Sequence, residues 1–172
     1  MELSLPLHLF LHFSLAILTG YFLGRHFKAV ELGIICGLIG GFLIDLDHVL
    51  EYFFVYGWQF NLSYFLEGRQ FLSSDKIRLI FHAWEYLPLF LLIAFIFKKK
   101  KALQAALIIL AVSASVHLLT DSFLNQYPLQ YYALAYRAEN NFAADKILNP
   151  SAYQNYVELR EQLNIKVGEH LP

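Results

Sequence analysis

The chain has 172 residues, of which 58% are hydrophobic and 17% aromatic, and its formal net charge is −1. This apolar content is too high for a soluble domain of such length, so the composition favours a membrane protein that folds as one compact unit. The small net charge, without a long basic tail, argues against a nucleic-acid partner. Cys36 is the single cysteine, which excludes a disulfide framework and a paired-cysteine metal site.

Four hydrophobic segments follow in chain order, each long enough to cross a hydrocarbon core of about 30 Å as a helix rising about 1.5 Å per residue. They cover residues 3–23, 29–56, 77–97 and 102–123. The connector 58–76 mixes aromatic and polar residues, as a segment at the membrane interface would. It ends in Ser73, Ser74 and Asp75, which are predicted N-caps of the third helix. Pro88 is expected to kink that helix.

The C-terminal region leaves the hydrophobic pattern after the fourth segment. Residues 126–137 are rich in tyrosine and predict an interfacial return. Asn149 followed by Pro150 is a typical helix start, and the apolar residues spaced beyond it predict an amphipathic surface helix. We therefore predict an all-α fold: an integral membrane four-helix bundle with an intramembrane metal site at residues 1–125, and an interfacial or extramembrane segment at 126–172.

Each hydrophobic segment carries a pair of ionisable residues, which are costly in hydrocarbon unless they are paired or bind an ion. The pairs are His8 with His12, Asp45 with His48, His82 with Glu85, and His117 with Asp121. The partners are three or four residues apart, so each pair lies on one face of its predicted helix. When the four segments alternate in direction, all four pairs fall near the same membrane face. This convergence predicts one polar site.

A stripe of small residues precedes the aspartates of the second segment. Gly33, Gly37 and Gly41 repeat every fourth residue, a pattern that permits close approach of a neighbouring helix. Asp45 continues the stripe and is expected to point into the bundle. Asp47 lies about 200° away from it on an ideal helix, which places Asp47 beside the site unless the helix distorts there.

Histidine and carboxylate side chains from several helices are the ligand set expected for zinc, iron or manganese. We expect one or two divalent transition-metal ions, with zinc favoured. The candidate ligands are His12, His8, Asp45, His48, His82, His117 and Asp121. A metal-bound water with a pKa lowered to about 7 would be the nucleophile, and a pair of ions would clamp a phosphoryl group. Glu85 or Asp47 is the candidate general base where it is not a ligand.

Basic residues are concentrated in the two short turns between the segments. They are Arg25, Lys28 and the lysines at 98–101. The positive-inside rule places these turns in the cytoplasm, so the metal face is expected to be extracytoplasmic.

Three stretches, LIDLDH, RLIFH and HLLTDSF followed by QYPLQYY, resemble the bacterial family of membrane-bound metal-dependent hydrolases. That family carries an early histidine, an LLPDIDH-like motif, an HRxxTH-like motif and a late HLLxD segment. The resemblance covers residues 7–132 and implies a multi-pass protein of the bacterial cytoplasmic membrane. It implies metal-site positions at His12 or His8, Asp45, Asp47, His48, His82, His117 and Asp121. Ile77 and Phe81 replace two polar residues of the third motif, and Glu85 is expected to compensate.

The expected function is a metal-dependent hydrolase that cleaves a phosphate ester in a membrane lipid or lipid-linked substrate. A metal-ion transporter is one alternative, although the opposite half of each segment has almost no polar residue to form a path. A membrane di-iron oxidoreductase is another, although His8 and His12 form the single closely spaced histidine pair. The particular substrate and the oligomeric state stay open.

Overall fold

The computed structural model describes residues 5–168, and in that range its regular structure is helical apart from one isolated β-bridge between Lys76 and Ala143. The helices are α1 Leu5–His26, α2 Val30–Gly41, α3 Leu46–Tyr56, α4 Leu62–Leu66, α5 Arg69–Ser74, α6 Tyr86–Ile96, α7 Lys101–Asn125, α8 Leu134–Glu139, α9 Ala144–Ile147 and α10 Pro150–Gln162. The all-α prediction is confirmed. Leu3 and Ser4 of the predicted first span and residues 169–172 of the predicted C-terminal segment lie outside the described residues.

Three helices are long and apolar enough to cross a membrane, as expected for a membrane protein. They are Leu5–His26, Lys101–Asn125 and the segment Val30–Tyr56, which comprises α2, a 3₁₀ turn and α3. The remaining apolar helix, α6, has 11 residues, and at about 1.5 Å per residue it falls well short of a 30 Å hydrocarbon core. A bundle of four full spans is therefore not confirmed.

The predicted third span is wrong over its first half, because residues 77–85 form an irregular loop. Distant partners take the amide protons that a helix would have used. Ile77 donates to the carbonyl of Phe142 at 2.9 Å, and Trp84 donates to that of Tyr132 at 3.0 Å. These tertiary hydrogen bonds override the helical preference of an apolar sequence.

The residues that were expected to cap and to kink the third span have other roles. Ser73 and Ser74 end α5, and Asp75 follows them in a left-handed conformation, so the three residues terminate a helix and do not cap the next one. Pro88 lies in the first turn of α6. Proline is tolerated there because those amides have no partner within the helix, so Pro88 is compatible with the helix start and causes no kink.

The described chain divides into two compact units, and neither is continuous in sequence. The first comprises Met1–Asp45 and His82–Tyr132, and the second comprises Leu46–Phe81 and Ala133–Pro172. Each unit is described separately below.

In the first unit, α1 and α2 approach each other through the predicted stripe of small residues. A Cβ atom added to Gly37 would lie 2.8 Å from the Cα of Gly20, and one added to Gly41 would lie 3.0 Å from the Cβ of Ala16. Helix α7 is equally close, since a Cβ on Gly40 would meet the carbonyl oxygen of Leu110 at 2.7 Å. The predicted close helix approach is confirmed, and it depends on residues without a side chain.

In the second unit, α10 begins where the sequence predicted. The side chain of Asn149 accepts a hydrogen bond from the amide of Ala152 at 2.8 Å, which caps the helix ahead of Pro150. The hydroxyl of Tyr156 donates to the carbonyl of Phe71 at 2.5 Å and joins α10 to α5. Burial, together with the negative charge of Asp75, raises the pKa of Tyr156, so its hydroxyl stays a donor.

Candidate metal centre

The first unit brings six of the predicted side chains together at one end of its helices. Two come from the first half of α1, two from the last turns of α7, one from the 3₁₀ turn Leu43–Asp45 and one from the loop before α6. They are His8, His12, Asp45, His82, His117 and Asp121, and they form groups that could hold a metal ion. The predicted convergence of these six residues is confirmed.

One group contains both histidines of α1. The Nε2 atom of His12 lies 2.9 Å from Nε2 of His8 and 2.9 Å from Oδ1 of Asp121. The remaining side of this triangle, from His8 to the same oxygen, is 3.3 Å. Ligands about 2.0–2.1 Å from a tetrahedral zinc ion are roughly 3.3 Å from one another, so these separations suit one coordination shell after slight expansion.

The second group contains the other two histidines. The Nε2 atoms of His82 and His117 are 3.1 Å apart, and they lie 3.3 and 3.5 Å from Oδ1 of Asp45. Oδ2 of Asp121 is 3.4 Å from the His82 nitrogen and 3.2 Å from the His117 nitrogen. The two oxygens of Asp121 therefore face different histidine pairs.

A backbone contact fixes the tautomer of His117. Its Nδ1 atom lies 3.1 Å from the carbonyl oxygen of Gly41. A carbonyl oxygen only accepts hydrogen bonds, so Nδ1 carries the proton and Nε2 of the neutral ring is left with a lone pair. That lone pair faces carboxylate oxygens of Asp45 and Asp121. A cation between these atoms would offset the repulsion between the lone pair and the carboxylate oxygens. A histidine whose other ring nitrogen is held by a backbone carbonyl is the usual arrangement of a metal ligand.

The cluster is buried except along one edge. The side chains of His12, His82 and His117 are buried, and Asp121 is nearly so. The side chains of His8 and Asp45 are 21% and 23% exposed. His8 and Asp45 are therefore the most accessible members of the cluster.

His48 and Asp47 belong to the second unit. The prediction that Asp45 and His48 share a helix face is wrong, because α2 ends at Gly41 and a 3₁₀ turn separates it from α3. In the second unit, Nδ1 of His48 lies 3.2 Å from Oδ1 of Asp47. The role of His48 as a metal ligand stays a prediction.

Asp47 is buried, with 2% of its surface exposed, and its Oδ2 accepts a hydrogen bond from the amide of Phe81 at 2.9 Å. One turn later on α3, the buried carboxylate of Glu51 pairs with Arg78. Both acidic residues of this helix face thus hold the loop segment 78–81. These pairings could not be predicted from the sequence, because the partners are about thirty positions apart and no helical spacing relates them.

Glu85 directly precedes α6 and is half-buried. Its predicted helical pairing with His82 is wrong, since both residues lie in the irregular loop. Its role as general base stays a prediction.

Replacing Asp47 tests whether its carboxylate supports the loop or acts as a base. Asp47→Ala leaves the Phe81 amide without its acceptor, so we expect the free energy of unfolding in detergent to fall by about 1–3 kcal/mol. Asp47→Asn keeps an acceptor oxygen and is expected to retain most of that stability. Equal stability of the two variants would show that this hydrogen bond does not hold the loop. An Asn variant that is stable but inactive in hydrolysis would favour the general-base role.

Searches against family models, curated proteins and solved structures gave no match to this chain. The likeness to membrane-bound metal-dependent hydrolases therefore depends on the motifs alone. The fold and the cluster define a helical membrane protein whose buried histidines and aspartates could hold a metal ion.

Proposed function

We propose that this protein is a metal-dependent hydrolase of the bacterial cytoplasmic membrane that cleaves a phosphate ester in a membrane lipid or lipid-linked substrate. The observation that carries the proposal is the lone pair of His117 Nε2, which faces the carboxylates of Asp45 and Asp121 within 3.5 Å. A divalent cation would accept this lone pair and neutralise the two carboxylates, a role that otherwise falls to a proton. Mixed imidazole and carboxylate ligands favour zinc, with iron or manganese as the next candidates.

The surroundings of the exposed edge favour a lipid substrate. Leu7, Leu9 and Phe10, which are neighbours of His8 on α1, are exposed apolar residues. Exposed apolar side chains contact acyl chains in a bilayer, so a headgroup that approaches laterally would reach His8 and Asp45 while its chains stay in the membrane.

The bound ion and the side chains of the protein would each contribute a part of the reaction. A bound zinc ion supplies a water molecule acidified to about pKa 7. His8 and Asp45 line the entry to the cluster, and the buried histidines keep that water away from bulk solvent. Glu85, which belongs to the same unit as the cluster, is the candidate for proton transfer to the leaving oxygen.

The proposed sidedness rests on the basic residues at the opposite end of the first unit. Arg25 and Lys28 lie at the turn between α1 and α2, and the lysine run lies between α6 and α7. The positive-inside rule places both turns in the cytoplasm and the cluster at the extracytoplasmic face.

The packing favours a hydrolase over a transporter. Beyond the cluster, the buried residues of α1 are Ala16, Gly20 and Gly24, and they meet the glycines of α2 at backbone distance. This contact leaves no room for an ion path between these two helices.

Elemental analysis of the purified full chain, combined with a hydrolysis assay on phosphatidic acid in mixed micelles, tests the proposal. We expect retained transition metal and release of inorganic phosphate, both lost in Asp45→Ala. Asp145→Ala, which removes an exposed carboxylate of the second unit, is the control and is expected to change neither. Fully folded protein without metal would overturn the proposal. Bound iron together with an oxygen-dependent product would favour the di-iron oxidoreductase instead. Zinc flux into liposomes would favour the metal-ion transporter.

A further inference from the structure

We propose that the cluster is built for two metal ions, bridged by the carboxylate of Asp121. This inference rests on the proposed function and specifies its metal content and the charge of its substrate. The two groups described above share Asp121 and no other residue. Oδ1 belongs to the group with His8 and His12, and Oδ2 to the group with His82 and His117. A carboxylate that presents one oxygen to each of two histidine pairs has the arrangement of a bridging ligand.

A single ion would leave one of the two histidine pairs held by hydrogen bonds alone. If it lay beside His82 and His117, the nitrogens of His8 and His12 would still lie 2.9 Å apart and both within 3.3 Å of the same Asp121 oxygen. If it lay beside the α1 pair, the other two nitrogens would remain 3.1 Å apart next to Asp45. Two ions would replace the protons that these short contacts otherwise share, and would also neutralise the two buried carboxylates.

The two positions differ in the number of protein ligands. The position beside α1 has three, from His8, His12 and Asp121. The other has four, because Asp45 joins His82, His117 and Asp121. Three ligands with an open position are typical of catalytic zinc, and four are typical of a closed structural site. We therefore expect the ion beside α1 to bind more weakly and to be the one that carries water.

Charge then indicates the class of substrate. Within the cluster, Asp45 and Asp121 contribute two negative charges and two divalent ions would contribute four positive charges. The resulting net charge of +2 suits a phosphate monoester, which is close to a dianion near neutral pH. One ion would leave the cluster neutral. Paired ions about 3.5–4 Å apart are also the spacing at which attacking and leaving oxygens of a phosphoryl group are held together. A lipid phosphate monoester is thus favoured over a diester.

Metal stoichiometry tests the inference independently of activity. Zinc-loaded full chain, dialysed and measured by elemental analysis, is expected to hold two ions per chain, and His12→Ala one. His8→Ala, at a partly exposed position, is a second variant that is expected to lose the same ion with less risk to folding. His26→Ala, an exposed histidine at the other end of α1, is the matched control and should retain two. In manganese-loaded wild type, electron paramagnetic resonance should show an exchange-coupled pair.

The outcomes separate the two proposals. No ion in the folded wild type overturns both. One ion, with an uncoupled manganese spectrum, overturns the paired centre and leaves a mononuclear hydrolase standing. Two ions that both persist in His12→Ala and His8→Ala overturn the assignment of ligands. Faster release of phosphate from phosphatidic acid than of headgroup from phosphatidylcholine supports the monoester, and the reverse preference overturns it.

Discussion

Substitution of Asp121 by alanine is expected to remove metal from the whole cluster and to lower hydrolysis by roughly 100-fold or more, since even residues that only support metal ligands cost 10–100-fold. The reason is geometric. Asp121 faces all four histidines of the cluster, with its Oδ1 toward His8 and His12 and its Oδ2 toward His82 and His117. Each of its two oxygens contacts one histidine pair within 3.4 Å.

Thermal unfolding gives a readout for Asp121→Ala that does not require a substrate. A ligand that binds only the folded state stabilises it by about 2.7 kcal/mol at a concentration 100 times its dissociation constant. Adding zinc to metal-free wild type should therefore raise its melting temperature, whereas the variant should respond little. Asp121→Asn, which keeps the side-chain shape but loses the charge, is expected to fall between them. A full metal complement in the alanine variant would contradict the central position assigned to this carboxylate.

Gly37→Val is expected to be the most damaging substitution for the fold, at roughly 3 kcal/mol or more, because overpacking of this kind costs 1–3 kcal/mol even where neighbours can adjust. Here they cannot, since the added Cβ would lie 2.8 Å from the Cα of Gly20, and backbone atoms have no alternative rotamer. Helices α1 and α2 would have to separate. We expect little folded protein to be recovered after purification in detergent.

The control for Gly37→Val lies on the exposed side of the same helix. Ile35 is 56% exposed, so Ile35→Val places the same side chain in α2 without a backbone neighbour. It should purify with normal thermal stability and metal content. Equal yields of the two variants would show that the close approach of α1 and α2 is not required for folding.

Most of the cluster could be predicted from the sequence, because ionisable residues in an apolar segment indicate a polar site whether that segment forms a helix or a loop. His12, His82, His117 and Asp121 stand out in this way, and their positions in the chain predicted a common end of the helices. His82 illustrates the limit of that reasoning. It reaches the cluster from a loop, although its spacing from Glu85 had predicted a helix.

The features that sequence reasoning missed depend on long-range partners. The loop at 77–85 is apolar enough for a helix, yet the amides of Ile77 and Phe81 bond to residues that are distant in the chain. Helix α2 ends at Gly41, and no proline between α2 and α3 indicates this break in the sequence. The hydrogen bond between His117 and the backbone carbonyl of Gly41 could not be predicted from the sequence, because every residue has a backbone carbonyl.

Gly41 joins two functions that are usually separate in a membrane protein. Its missing side chain lets α2 settle against Ala16 of α1, while its carbonyl oxygen holds Nδ1 of His117. A shift of one helix along the other would therefore rotate an imidazole as well as open a packing contact. A membrane of different thickness, which changes the tilt of transmembrane helices, is therefore expected to alter the affinity of the proposed centre for its ion.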